Sequence, residues 1–202
     1  MRKGLRLLVL PLLVAVIAGC SKPPEMEMAN ADQAASAAQS AQAAKYAPSD
    51  WKMAQDTLNA AKTEKAGQDG RFALFRSYGK AKALYEKASA LSNTATTNAK
   101  AEMERVRKET EAILAAVKTD LDSTTAMVMA APVGKDTKAD IELMKQDVTA
   151  LGSLLAQAQS AWSRNDFDAA KSQAQQVRDR MTTIKTQLEA AIAKRGAKGK
   201  KH

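Results

Sequence analysis

The chain has 202 residues, a formal net charge of +9, one cysteine and one histidine. The single cysteine excludes an intrachain disulfide, and the lone His202 at the end of the chain excludes a rigid Ser-His-Asp triad or a zinc site built on several histidines. Three cations lie in residues 2–6 and five in residues 194–202, so the rest of the chain carries a net charge of only +1. The basic balance therefore gives no argument for nucleic-acid binding.

Residues 1–19 have the pattern of a secretory leader. Three cations in the first six residues precede Leu7–Ala18, a stretch that is apolar apart from a break at Pro11. Its twelve residues suit the hydrophobic region of a signal peptide and are too few to span a bilayer as a helix. We therefore expect this segment to direct export of the chain.

The leader ends in a short motif around the only cysteine. Its members are Ile17, Ala18, Gly19 and Cys20. This run resembles the lipobox of bacterial lipoproteins, in which an aliphatic residue and two small residues precede a cysteine. The resemblance implies that a signal peptidase recognises the three small or aliphatic residues, cuts before Cys20, and leaves a covalent lipid on its sulfur. The alternative is an ordinary secretory signal that happens to end at a cysteine.

Ser21 bears on where the lipidated chain resides. By resemblance to the enterobacterial sorting rule, Ser at this position instead of Asp favours the outer membrane, with the chain facing the periplasm; inner-membrane retention is the alternative. Residues 20–24 then form the lipidated cysteine and a short linker. No later stretch of the chain is apolar enough to span a membrane, so we expect membrane attachment through the lipid and no cofactor besides it.

Residues 25–97 predict an alanine-rich helical bundle. Ten alanines in residues 29–47 favour a first helix, and Tyr46-Ala47-Pro48 breaks it, with Pro48 in the first turn of the next helix. A turn at residues 68–70 separates the second and third helices. Residues spaced for one face of the second helix are Trp51, Ala54, Leu58 and Ala61, and those of the third are Leu74, Tyr78, Ala81, Tyr85 and Ala88.

Residues 98–194 predict an antiparallel three-helix bundle, so the expected fold class is all-α. Three apolar stripes recur at steps of three and four residues. They are Met103, Val106, Thr110, Ile113, Val117 and Leu121; then Ile141, Met144, Val148, Leu151, Leu155, Ala158 and Trp162; then Phe167, Ala170, Ala174, Val177, Met181, Ile184 and Leu188. Thr137 with Asp140 resembles a capping box, and Asn165 or Asp166 is placed to cap the last helix.

Two features connect the halves of the chain. Residues 93–98 contain no strong helix breaker, so the third helix is expected to run on into the second bundle, as in spectrin-like arrays, or else to kink there. In addition, both Tyr78 and Phe167 are followed by Ala at the third step and Lys at the fourth. That match indicates either an internal duplication or a coincidence between alanine-rich helices.

The N-terminal half resembles a known domain type. The residues that carry the resemblance are the Ala/Gln-rich first helix, the Tyr46-Ala47-Pro48 break with Trp51, and the aromatic-led helix from Tyr78. Residues 29–99 are similar in these respects to the bacterial envelope domain called domain of unknown function 4398, which occurs in lipoproteins and beside OmpA-like peptidoglycan-binding domains. No OmpA-like domain follows here, so the resemblance implies neither peptidoglycan binding nor any catalytic residue.

Residues 195–202 predict a disordered basic tail. The cations that would contact a polyanion are Lys194, Arg195, Lys198, Lys200 and Lys201. An anionic envelope polymer, such as lipid A phosphates or peptidoglycan carboxylates, is one interpretation of this tail. The other, which we favour, is a solvated end without a binding role.

The remaining side chains do not suggest catalysis or a small-molecule substrate. The carboxylates of residues 102–111 alternate with Arg and Lys, a mixture typical of the solvated face of a long helix. We therefore expect a lipid-anchored scaffold or spacer without catalytic activity, whose partner is a helical protein or an envelope polymer. The alternatives are polyanion binding by the tail and a holdase-type envelope chaperone.

Overall fold

The computed structural model describes residues 22–199, with side chains described as far as Lys194. This part of the chain is all-α, which confirms the expected fold class, and it contains one 3-10 turn at Ala73–Phe75. The helices are α1 (Glu25–Ser40), α2 (Ala43–Tyr46), α3 (Pro48–Asp69), α4 (Gly79–Met129), α5 (Lys138–Ser163) and α6 (Phe167–Gly199). The chain divides into two compact units between Met103 and Glu104, within α4.

Unit 1 is a three-helix arrangement of α1, α3 and the first part of α4. Its buried cluster takes Ala31 and Ala35 from α1, Leu58 and Ala61 from α3, and Tyr85 with Ala88 from α4. Most of these side chains are single methyl groups, each of which removes little apolar surface from water. Tyr85, which is only 1% exposed, is the largest side chain in this cluster.

The first helix of unit 1 ends earlier than the sequence suggested. It stops at Ser40, and Gln42 adopts a left-handed conformation with φ of 55° before α2 begins at Ala43. A left-handed residue ends a helix because its amide turns back to earlier carbonyls, and here Gln42 N–H donates to Gln39 O at 2.9 Å. The break at Tyr46-Ala47-Pro48 is present as expected, with Pro48 in the first turn of α3.

The predicted apolar face of the third helix is wrong at one residue, because α4 begins after it. Leu74 lies in the 3-10 turn before α4 and is 55% exposed, so it does not belong to the helix face that buries Tyr78, Ala81, Tyr85 and Ala88. Its spacing from Tyr78 fits a helix, but the backbone at Arg76 is extended. The helix then continues from Gly79 to Met129 without interruption, so residues 93–98 are helical.

Unit 2 packs the remainder of α4 against α5 and α6 through larger aliphatic side chains. The expected stripes of α5 and α6 are buried, except that Trp162 is half-buried and Ala161 takes part in its place. On α4 the core uses Leu114 where Ile113 was expected, and Ile113 packs partly buried against it. Buried residues contributed by α4 are Thr110, Leu114, Val117, Leu121, Thr124 and Val128.

The connection between α5 and α6 explains how the hairpin closes. Asn165 has φ of 61°, and its amide bonds to Trp162 O while the next amide, that of Asp166, bonds to Ala161 O, both at 2.9 Å. This is the Schellman pattern that ends a helix, and Asn tolerates the left-handed conformation it requires. Asp166 then caps α6, because its carboxylate accepts from Ala169 N–H at 3.2 Å.

The start of α5 differs from the expected capping box. Thr137 occupies the N-cap position, but neither its hydroxyl nor any other side chain there caps the helix. The Thr137 hydroxyl instead accepts a hydrogen bond from Gly134 N–H at 3.0 Å. The hydroxyl therefore stabilises the loop before α5, and the helix amides near Asp140 are not its partners.

The far end of α6 also differs from expectation. The helix continues to Gly199, whereas a disordered tail was expected from Arg195. Lys, Arg and Ala are strong helix formers. Their helix propensity offsets the cost of Gly196 within the helix, which is about 1 kcal/mol.

The aromatic-Ala-Lys match has a structural counterpart in each unit. Tyr78 and Phe167 are both buried at a helix start, at 3% and 0% exposure. The lysine four residues later makes a cross-helix ion pair in both cases: Lys82 with Glu27 at 2.9 Å and Lys171 with Glu109 at 2.8 Å. The two motifs thus occupy equivalent positions in their own units.

Phe167→Ala should destabilise unit 2 by about 3–5 kcal/mol, because it leaves a cavity at a completely buried position. The measurement is equilibrium urea unfolding of the chain followed by circular dichroism. Leu143→Ala is the matched control, since Leu143 is 59% exposed and its truncation should change stability by no more than about 0.5 kcal/mol. Equal effects of the two substitutions would contradict this packing.

Candidate functional site

The α3–α4 loop, residues 70–78, displays the most conspicuous apolar surface of the described chain. Phe72 is 69% exposed, Leu74 55% and Phe75 74%. The chain has only three phenylalanines, and two of them are in this loop. The rings of Phe72 and Phe75 stand 6.3 Å apart, a distance at which aromatic pairs interact favourably. Clustered exposed apolar side chains of this kind mark interaction sites in soluble domains.

Hydrogen bonds to backbone carbonyls fix the conformation of this loop. The Arg76 guanidinium donates to Asp69 O through Nη2 and to Arg71 O through Nε, both at 2.9 Å. Since Asp69 is the last residue of α3, Arg76 also satisfies a carbonyl that the helix end leaves without an amide partner. Phe75 N–H donates to Phe72 O at 2.9 Å, which closes the 3-10 turn.

Side chains at the end of α3 make hydrogen bonds to the last residues of the loop. Gln68 is only 6% exposed, accepts from Ser77 N–H at 3.1 Å and donates to Glu64 at 2.9 Å. Tyr78 donates its hydroxyl proton to the Asp69 carboxylate. The Lys65 hydrogen bond and then that of Tyr78 lower the pKa of Asp69, and the same carboxylate raises the pKa of Tyr78.

The loop lies at the end of unit 1 where the chain begins α1. Lys82, in the first turn of α4, pairs with Glu27 in the first turn of α1 at 2.9 Å. Lys80 pairs with Glu64, near the end of α3, at 2.8 Å. Pro24, the residue before α1, is buried. We call this end, where the starts of α1 and α4 meet the end of α3, the base of unit 1.

The charged stretch of α4 is paired within unit 2. Glu104 is held by Arg107 at 2.8 Å, and Glu109 by Lys171 at 2.8 Å and Arg105 at 3.1 Å. The Arg107 hydrogen bond lowers the pKa of Glu104, and the Lys171 hydrogen bond that of Glu109. Carboxylates with lowered pKa values are poorly suited to exchange protons near neutral pH.

Trp162 joins this cluster from α5. Its indole Nε1–H donates to Arg107 O at 3.2 Å, and the Arg107 guanidinium lies 5.7 Å from the centre of its ring. The distance is within the range of a cation–π contact. These contacts attach α5 to α4, so the charged stretch has a packing role.

A groove lies between α5 and α6 in unit 2. Its volume is about 410 Å³. It is lined by Asp140, Leu143, Met144, Asp147, Gln187, Ala190, Ala191 and Lys194. Lys194, one of the cations proposed to contact a polyanion, therefore shares its surroundings with two carboxylates. That mixture weakens its attraction for an anionic polymer.

The structure leaves most of the other expected site residues undescribed. Ile17, Ala18, Gly19 and Cys20 lie outside the described residues, as do Lys200 and Lys201. Arg195 and Lys198 are in the last turns of α6, but their side chains are not described. The exposed α3–α4 loop is not predicted by the sequence pattern, because the spacing of Leu74 fits a helix; the sequence signal for it is the pair of phenylalanines between Arg71 and Arg76.

Among the residues that the structure describes, no group of three or more His, Cys, Asp or Glu side chains is arranged to hold a metal ion. None of the helices in residues 22–199 combines the length and apolar character needed to cross a membrane. Compared with known proteins, the chain matches no family model, no curated protein and no solved structure. The resemblance of residues 29–99 to domain of unknown function 4398 thus stays a prediction.

The hydrogen bond from Tyr78 to Asp69 should stabilise the α3–α4 loop. Tyr78→Phe should lower the free energy of unfolding of unit 1 by about 1–2 kcal/mol, since the bond has a charged acceptor. A double-mutant cycle with Asp69→Ala measures the pair itself by urea unfolding. Additive effects of the two substitutions would show that the pair contributes nothing.

Stability should fall in acid because carboxylates at the base of unit 1 have lowered pKa values. The hydrogen bond from Lys82 is the main cause of the lowered pKa of Glu27, and the hydrogen bond from Lys80 is the main cause of the lowered pKa of Glu64. A lowered folded-state pKa stabilises the fold above the ordinary value of 4.5, and that contribution is lost as pH falls through the folded-state value. The melting temperature measured against pH should therefore drop below about pH 4.5.

Lys82→Gln is the control for this pH dependence. Without the ammonium group, the pKa of Glu27 should return toward its ordinary value, and the melting temperature should fall less steeply in acid than that of the unsubstituted chain. An identical pH profile in both chains would contradict a stabilising role for the Glu27–Lys82 pair.

Proposed function

We propose that the chain is a lipid-anchored structural or interaction protein of the bacterial envelope. The observation that carries this proposal is the run Ile17-Ala18-Gly19-Cys20 behind an apolar leader, with its single available thiol. Cleavage before Cys20 leaves a helical body of 183 residues attached through several acyl chains, each of which contributes about 0.8 kcal/mol per buried methylene. By resemblance to the enterobacterial sorting rule, Ser21 supports attachment to the outer membrane, with the chain facing the periplasm.

Features of the described body favour a scaffold or spacer without catalytic activity. The apolar stripes of α5 and α6 are buried in the core of unit 2, and Glu104 and Glu109 of α4 are paired with neighbouring cations. These apolar and charged side chains of unit 2 thus hold its helices together. The partners that suit such a body are a second helical protein or an envelope polymer. Holdase activity remains the rival interpretation, and release of a bound unfolded client would separate it from a spacer.

The basic end supports only a secondary proposal. Lys194 lines the same groove as Asp140 and Asp147, which favours the solvated-end interpretation over binding of a polyanion. Deleting residues 195–202 would decide between them. Salt-dependent binding to peptidoglycan or lipid A that disappears on deletion would favour the polymer-binding alternative.

Cys20→Ala should abolish membrane attachment. Mass spectrometry of the unsubstituted chain should show a protein that begins at Cys20 and carries diacylglycerol and an amide-linked acyl chain, whereas the Cys20→Ala chain should carry neither and leave the membrane fraction. Lys22→Ala is the matched control, since it lies close by and leaves the motif intact. An unsubstituted chain with an unmodified Cys20 would refute the proposal.

Ser21→Asp should move the lipidated chain from the outer to the inner membrane of an enterobacterial host. The substitution adds one carboxylate beside the lipid, and the sorting rule associates this carboxylate with retention in the inner membrane. Separation of the two membranes by density, followed by immunoblotting, measures the result, and Ser21→Ala should stay in the outer membrane. Identical distributions of the Asp and Ala variants would show that this rule does not govern the chain.

A further inference from the structure

We propose that the α3–α4 loop inserts into the surface of the same membrane that holds the lipid on Cys20. Phe72, Leu74 and Phe75 would lie among the headgroups and upper acyl chains. This inference rests on the proposed lipid anchor and adds a second membrane contact, made by the folded body. The base of unit 1 would then face the bilayer.

The position of the loop in the fold is the first reason. The Glu27–Lys82 and Glu64–Lys80 ion pairs bring the start of α1 and the loop to one end of unit 1. Four residue steps separate Cys20 from the buried Pro24, a span of at most about 14 Å. A lipid on Cys20 therefore keeps the base of unit 1 within a short distance of the membrane surface.

The chemistry of the loop is the second reason. Its apolar residues stand between Arg71 and Arg76, a combination suited to a surface with anionic headgroups above hydrocarbon. Two carboxylates that support the loop are paired with cations: Asp69 with Lys65 at 2.7 Å, and Glu64 with Lys80 at 2.8 Å. These pairs reduce the repulsion between this end of unit 1 and a negative surface.

The preorganised shape of the loop is the third reason. Arg76 and Gln68 fix the backbone while the apolar side chains remain exposed, so insertion does not require the loop to be ordered first. An apolar residue needed only for folding would be buried, as Tyr78 is beside it. Exposure maintained by a specific hydrogen-bond network indicates a surface that something else covers.

The exposed area favours lipid over a protein partner. Two aromatic side chains and one leucine at these exposures offer about 400 Å². A stable protein interface needs about 800 Å² from each partner. A small apolar tip suffices for membrane contact, however, because the lipid on Cys20 already holds the chain at the surface.

A single-cysteine probe tests the insertion. In the lipidated chain the sulfur of Cys20 is consumed by the lipid, so Phe75→Cys introduces the one reactive thiol, which is labelled with an environment-sensitive fluorophore. The chain is reconstituted in vesicles of phosphatidylethanolamine and phosphatidylglycerol. The emission should shift to shorter wavelength, and lipids that carry a quencher in the acyl chain should quench it. Met53→Cys is the matched control, since Met53 is 50% exposed near the start of α3, at the opposite end of unit 1.

The outcomes separate this inference from the proposed function. If mass spectrometry shows a lipid on Cys20 but the probes at 75 and 53 are quenched equally, the insertion is refuted and the anchor stands. If Cys20 carries no lipid, the proposed function fails and the insertion fails with it. A probe at 75 that is shielded equally in a Cys20→Ala chain without vesicles would assign the loop to a second copy and overturn the membrane contact.

Discussion

The architecture of unit 1 depends on how little apolar surface alanine can bury. A buried methyl group contributes about 0.8 kcal/mol, against about 1.5–3 kcal/mol for a leucine or tyrosine-sized side chain. The seam of Ala31, Ala35, Ala61 and Ala88 thus allows helices to lie together but specifies their register weakly. Register must come from the few large side chains and from polar contacts between helices, and Tyr85 is the large side chain that the cluster encloses.

Cross-helix polar contacts are accordingly distributed along unit 1. Besides the two ion pairs at the base, Lys62 pairs with Asp32 at 3.1 Å, and Asn98 donates to Asp50 at 2.7 Å. Exposed contacts of this kind contribute little to the free energy of unfolding. Their value lies in geometry: they set the starts of α1 and α4 side by side, and this places the α3–α4 loop.

The buried aliphatic positions of unit 2 could be predicted from the sequence, whereas the left-handed backbone at Gln42 and the conformation of the α3–α4 loop could not. Val148, Leu151 and Val177 are buried as expected because aliphatic residues at steps of three and four leave one helix face to bury. Gln42 gave no signal, since glutamine seldom adopts a left-handed conformation. The expected lipidation motif, residues 17–20, is contiguous, so it is visible in the sequence alone, and lipidation of Cys20 stays a prediction. The exposed loop depends on Arg76 and Gln68 reaching back to α3, which spacing alone does not reveal.

Attachment of the chain to a membrane at the base of unit 1 can be tested by hydrogen exchange of the lipidated chain in vesicles, compared with the Cys20→Ala chain in solution. Amide exchange in residues 70–78 should be slower when the lipidated chain is in vesicles, and exchange in residues 40–48, at the opposite end of unit 1, should be unchanged. Equal protection of both segments, or protection confined to residues 40–48, would contradict it.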